Sequence, residues 1–120
     1  MGSARYPLSE NFLRYFDVHY GATEALKSEA YGIRYRVYCE EFRYEPADAF
    51  PDEQERDEFD ENSLHALICH KSSGLFAGCV RMVSPVASAP DLPFEKNCGD
   101  SLDAELIAGL GLERSRVCEI

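Results

Sequence analysis

The sequence predicts an α+β domain built on an antiparallel sheet, and three observations carry that expectation. Phe16, Val18 and Tyr20 alternate with Asp17 and His19, the period of a half-buried strand. Leu26, Ala30, Ile33 and Val37 recur at steps of four, three and four, which lines one face of a helix. Two apolar runs, Leu64 to His70 and Leu75 to Val83, flank Lys71-Ser-Ser-Gly74, a strand–turn–strand hairpin with a turn glycine.

Taken in order, residues 1–10 read as a loose, disordered leader, and a strand follows over 15–20 until Gly21 ends it. Thr23 caps a helix running over 23–42, with Glu24 favourable in its first turn. Tyr31, Tyr38 and Phe42 widen the apolar stripe or form a second one. Residues 44–63 are acidic and broken by Pro46 and Pro51, so they read as a long, partly ordered loop, a length found mostly in functional or disordered segments. Residues 84–93 carry three prolines and read as a connector. A short helix follows over 101–110, stopped by Gly111. A last strand starts at Arg116 and ends with the chain. An open strand edge invites pairing, so the expectation is one domain portion over 1–120, its sheet extended by further sequence or by a second copy in a homodimer.

Composition narrows the function. The chain has 120 residues, 45% hydrophobic and 28% charged, ordinary for a single soluble domain. No apolar run reaches the length of a membrane span, and Met1 to Pro7 has no secretory apolar core, so the expected location is cytoplasmic. The net charge of −10 argues against nucleic acid, whose binding rests on lysine and arginine. An anionic donor would need a local basic patch, to which Arg34, Arg36 and Arg43 contribute if they share a helix; otherwise they solvate its surface. The five cysteines include no C-x-x-C pair, which suggests reduced thiols rather than a disulfide framework or zinc ribbon. Glycine-rich phosphate motifs are absent. His65 and His70 lie five apart on one strand and face opposite sides, so they do not chelate one metal; His65 reads as a structural histidine, and no metal site is expected.

Asp57 and Asp60 lie three apart in Glu55-Arg-Asp-Glu-Phe-Asp. Two fixed carboxylates bind an ammonium or clamp an arginine. Arg81, flanked by apolar residues in Gly78-Cys-Val-Arg-Met, is expected to be partly buried and paired. Such a network serves structure, function or both. Arg36, one position off the apolar stripe, reads from its position alone as solvated or salt-bridged.

Five stretches, in order, resemble one family. They are Ile33-Arg-Tyr-Arg-Val-Tyr-Cys-Glu-Glu-Phe42, Glu55 to Asp60, His65-Ala-Leu-Ile68, Gly78 to Met82 and Val117-Cys-Glu-Ile120. Together they are similar to the N-terminal half of the acyl-homoserine-lactone synthase-like branch of the GNAT acyltransferases. Val37 to Glu41, with Leu92 to Ala104, resembles the acyltransferases associated with PEP-CTERM/exosortase systems more closely. The resemblance implies a GNAT-like fold and transfer of a fatty acyl group from an acyl-CoA or acyl carrier protein thioester, a substrate rather than a bound cofactor, to a small amine, as in N-acyl amino acid synthesis. It implies catalytic roles for Asp57, Asp60, Arg81 and Glu119, with an Asp57–Arg81–Glu119 network as the floor of the site. Arg36, Tyr38 and Tyr44 would line the amine side. Tyr44 stands where lactone synthases carry tryptophan, which counts against a true acyl-homoserine-lactone synthase, the first alternative enzyme. The donor-binding parts of the family follow Glu119, so the isolated 120-residue chain is expected not to turn over substrate. A non-catalytic binding domain of the same fold, and a standard acetyl-CoA enzyme, are the alternatives.

Overall fold

A computed structural model describes residues 6–120. A helix, α1 (Leu8–Tyr15), leads directly into strand β1 (Phe16–Gly21). The expected loose leader is therefore helical from Leu8, while residues 1–5 lie outside the described residues. Asn11 N–H closes the first turn on the Pro7 carbonyl at 3.0 Å, and the proline at its entry has no N–H to leave unmet.

Helix α2 (Glu24–Tyr35) starts at Thr23, whose hydroxyl accepts from Leu26 N–H at 3.3 Å. It runs on without interruption into a π-helical turn over Arg36–Glu41, so the helical path matches the expected span closely. It ends at Arg43, whose φ of 54° is left-handed, and the Tyr38 carbonyl accepts from both Tyr44 N–H (2.7 Å) and Glu45 N–H (3.1 Å). Left-handed exits satisfy the last carbonyls of a helix and usually employ glycine.

Strands β2 (Ser63–His70) and β3 (Phe76–Val83) form the hairpin, turned at Gly74 with φ 71°. The sheet order is β1-β2-β3, antiparallel throughout. Helix α2 covers one face. Ala30 and Ile33 meet Leu67 there, with Leu26, Val37, Phe76 and Cys79 packed around them. The helical stripe read from the sequence thus builds the core. The strand β1 alternation has a different outcome. Its apolar side lies on the face away from α2, where Val18, Tyr20, Leu64 and Val80 are exposed, while His19 on the α2 side lies edge-on to Phe76.

The C-terminal third is made of short pieces. Helix α3 (Pro93–Cys98) starts where the expected connector ends and fills a stretch given no element, and α4 (Ala104–Gly109) begins three residues later than expected, capped by the Asp103 carboxylate on Leu106 N–H at 2.9 Å. The expected last strand is reduced to one antiparallel bridge between Glu119 and Val83, with N–H···O distances of 3.0 and 2.8 Å. No helix among the described residues is long and apolar enough to cross a membrane.

Candidate functional site

The acidic loop is fastened to α2 by charge. Arg34 sits four residues after Ala30 on the buried side of the helix, so its stem runs into the core edge and its guanidinium meets the loop. Its Nε donates to Glu55 Oε2 at 2.6 Å and its Nη1 to Asp60 Oδ1 at 2.6 Å. Glu55 N–H also donates to the Tyr31 carbonyl at 3.1 Å, and Gln54 Nε2 to Ser28 Oγ at 2.8 Å. The stretch read as partly ordered is therefore held at two anchors, with single 3₁₀ turns at Ala47–Ala49 and Asp60–Asn62.

Arg81 enters from β3. It grips Asp57 with both Nη1 (2.6 Å) and Nη2 (2.8 Å), and Nη1 also reaches Asp60 Oδ1 at 3.0 Å. Charge-assisted bidentate bonds of this kind fix position as well as energy. His65, the Cα neighbour of Arg81 across the hairpin, is 1% exposed and places Nε2 3.2 Å from Asp60 Oδ1. Asp60 Oδ2 accepts the Asp57 N–H at 2.7 Å. Asp60 thus joins both arginines, the histidine and the loop backbone.

These contacts set the proton affinities. Burial alone would raise Asp60, but the bonds from His65 and the Asp57 N–H, together with the Arg34 charge, outweigh it and hold the carboxyl well below the usual range. Burial works against the charge of Arg81, yet its bonds to Asp57 and Asp60 keep it more firmly protonated than a free arginine. Burial pushes the Glu55 carboxyl up, against the pull of Arg34. It also pushes up the Cys79 thiol, whose Sγ points to the Ala30 carbonyl at 3.8 Å; a buried thiol of that kind is a poor nucleophile.

The cluster forms the wall of a cleft of about 570 Å³. Arg34, Asp57, His65 and Arg81 line one side, and Tyr38, Tyr44 and Glu45 come from the end of the α2 path. Pro93, Glu119 and Ile120 close the far side. Tyr44 stacks on Phe42 with ring centres 5.3 Å apart and planes 10° apart. A π-turn shifts the side chains that follow it relative to a straight α-helix, and such turns recur at functional sites.

Of the residues singled out in the sequence, Asp57, Arg81, Tyr38, Tyr44 and Glu119 border this one cleft, and Asp60 lies buried behind it. Two expectations need correction. Arg36 is exposed and does not line the cleft, because two residues along a helix turn a side chain by about 200°, and Arg34 takes the inward place. The Asp57–Arg81–Glu119 network does not form either. Glu119 bridges Val83 rather than Arg81, its Oε2 accepts the Phe94 N–H at the start of α3 at 2.8 Å, and Asp60 fills the second place on Arg81. From the sequence Arg34 is expected only as part of a basic patch or a solvated helix surface. Its four-residue spacing from Leu26 and Ala30, opposite an acidic loop, was the available signal. Among the described residues no group of histidine, cysteine and carboxylate side chains is arranged to hold a metal.

A profile of the family described as acetyltransferase (GNAT) domain matches residues 33–120, well over half of the chain. The chain matches no curated protein and no solved structure. The profile reaches GNAT and goes no finer than that. The general activity of that family is N-acyl transfer, with acyl-CoA as a donor substrate and an amine as acceptor. With its α+β arrangement of one antiparallel sheet crossed by α2, the chain belongs to the GNAT acetyltransferase domain family.

Proposed function

We propose that the cleft is the amine-acceptor side of an N-acyltransferase of the PEP-CTERM/exosortase-associated, autoinducer-synthase-like type, which moves a fatty acyl group from a carrier thioester to an amine. The observation that supports this most is the difference between the cleft's two candidate carboxylates. Both Asp57 oxygens are gripped by Arg81, whereas Glu119 has one oxygen on a backbone N–H and no cation. Asp57 is therefore a positioning group, and Glu119 is the group available to take a proton.

An amine attacks a thioester only as the free base. Its lone pair forms the C–N bond, the C–S bond breaks, and sulfur leaves as thiolate. Glu119, directly or through water, receives the proton that nitrogen loses, and the thiolate is reprotonated. Tyr38 and Tyr44 offer flat faces for the acceptor's carbon skeleton and its charge. The donor, acyl-CoA or acyl carrier protein, is a substrate in this scheme. The free edges of β1 and most of β3 support strand pairing with a second copy.

The test uses the product of the native gene with long-chain acyl thioesters and a panel of amines, followed by thiol release and mass spectrometry of the amide. Amide formation that falls at least tenfold in Glu119→Gln is expected. Amine binding without any thiol release would show a binding domain instead. Lactone formed from S-adenosylmethionine would show a homoserine-lactone synthase.

A further inference from the structure

We infer that the acceptor is an aliphatic diamine or polyamine, an amine with a second cationic group and no carboxylate; this rests on the acceptor-side reading above and narrows it. The cleft and its immediate backing hold two guanidinium groups, Arg34 and Arg81, against five carboxylates, those of Glu45, Glu55, Asp57, Asp60 and Glu119. Both guanidiniums are already engaged. Arg34 is held by Glu55 and Asp60, and Arg81 by Asp57 and Asp60, at 2.6–3.0 Å. The α-carboxylate of an amino acid acceptor would meet no unneutralised cation among the described lining residues. It would instead face Glu45 and Glu119, at a cost that like charges impose wherever they are brought together in a partly enclosed site.

The unfilled capacity of the cleft is of the opposite kind. Glu45 has no ion-pair partner among the described residues, and Glu119 meets only a backbone N–H. His65 adds an independent sign. It borders the same cleft, is 99% buried by its 1% exposure, and its Nδ1 has no partner. The two carboxylates accept hydrogen bonds and favour positive charge. Tyr38 and Tyr44 supply aromatic faces over which methylene groups and an ammonium both rest favourably. A diamine uses these features, with its distal ammonium held by Glu45 while the other end, as free base, attacks the thioester and gives up its proton to Glu119. The products are the monoamide and the free thiol. The amino acid acceptor implied by resemblance does not fit this charge pattern.

Putrescine, ornithine and n-butylamine separate the cases, since ornithine is putrescine plus a carboxylate and butylamine lacks the second charge. Binding to this chain is read by calorimetry and backbone amide shifts, and turnover by kcat/KM on the native gene product. Putrescine should bind at least tenfold tighter than either of the others, shift the amides of Tyr38, Tyr44 and Glu119, and show the highest kcat/KM. Ornithine binding as well as or better than putrescine would overturn the inference while leaving acyl transfer standing. Equal binding of butylamine and putrescine would overturn the role of the second cation. Putrescine binding at the cleft, with no amide formed from any amine, would leave the ligand class intact and refute the acyltransferase reading. Binding of none of the three overturns the inference.

Discussion

The guanidinium of Arg34 and the carboxylate of Asp60, 26 positions apart in the chain, meet at 2.6 Å with both side chains nearly out of solvent. Through this pair the acidic loop is placed against α2, and Asp60 then presents its remaining capacity to Arg81 and His65. Breaking one partner of a buried ion pair costs far more than the pair contributes, because a charge is left without compensation.

Asp60→Asn should therefore lower stability by about 3 kcal/mol or more. The pH profile carries the sign. A carboxyl held low in the folded chain stabilises it above the unfolded-state value of about 3.9, and that contribution is lost as pH falls toward the folded value. Urea midpoints of the wild type should fall progressively below about pH 5, and those of Asp60→Asn less steeply from a lower plateau. Glu55, pushed up by burial, contributes the opposite slope, a gain as pH falls through a folded value above about 4.3. A variant with the wild-type acid slope would refute the assignment to Asp60.

Arg81→Lys keeps the charge and loses the two-pronged grip on Asp57. A loss of about 1–2 kcal/mol is expected from the missing geometry, with the acceptor KM rising more than kcat falls, since Asp57 is no longer held against the cleft wall. Steady-state kinetics together with thermal melts would read this. An unchanged KM would count against a positioning role.

Tyr44→Ala removes an exposed aromatic ring at the cleft mouth. Stability should stay within about 0.5 kcal/mol, as for most surface changes, while acceptor affinity drops several-fold. Leu67→Ala supplies the contrast, a fully buried core truncation expected to cost about 2–5 kcal/mol. If Tyr44→Ala destabilised the fold as much as Leu67→Ala, its ring would be part of the scaffold.

Arg43 holds a left-handed backbone at the helix exit, a conformation costing a side-chain-bearing residue about 1 kcal/mol relative to glycine. Arg43→Gly should raise stability by about 0.5–1 kcal/mol in denaturant titration. A decrease would mean that the arginine side chain itself supports the exit.

Thiol reactivity offers a check on burial. Cys98 and Cys118 are exposed, while Cys39 is buried and burial pushes its thiol up, as it does for Cys79. Iodoacetamide at mildly basic pH should label the first two well before the second two, as read by peptide mass spectrometry.

Periodicity showed the α2 stripe and the hairpin because each buries a face that repeats at a fixed interval. The same rule failed on β1, where residues 17–20 are exposed on both faces, because alternation tells that two faces differ and not that either is covered. Helix α1 was hidden in a segment with a proline start and no side-chain cap, and α3 by its opening Pro93 and its length of six residues. At the site, the pairing of Asp57 and Asp60 with an arginine was legible from residue type. Which arginine, and where Glu119 turned, depended on rotation about the helix and on a single inter-strand bridge, neither of which sequence spacing alone determines.

The double fastening of the loop by Glu55 and Asp60 also bears on how such a chain diverges. The cleft wall is fixed by residues on the far side of the fastening, so residues 46–53 are free to change in composition, and even in length, without recutting the wall. Descendants of a common ancestor are then expected to differ most in that segment while Arg34, Glu55 and Asp60 change together or not at all. That stretch would record lineage, and the three charged residues would record function.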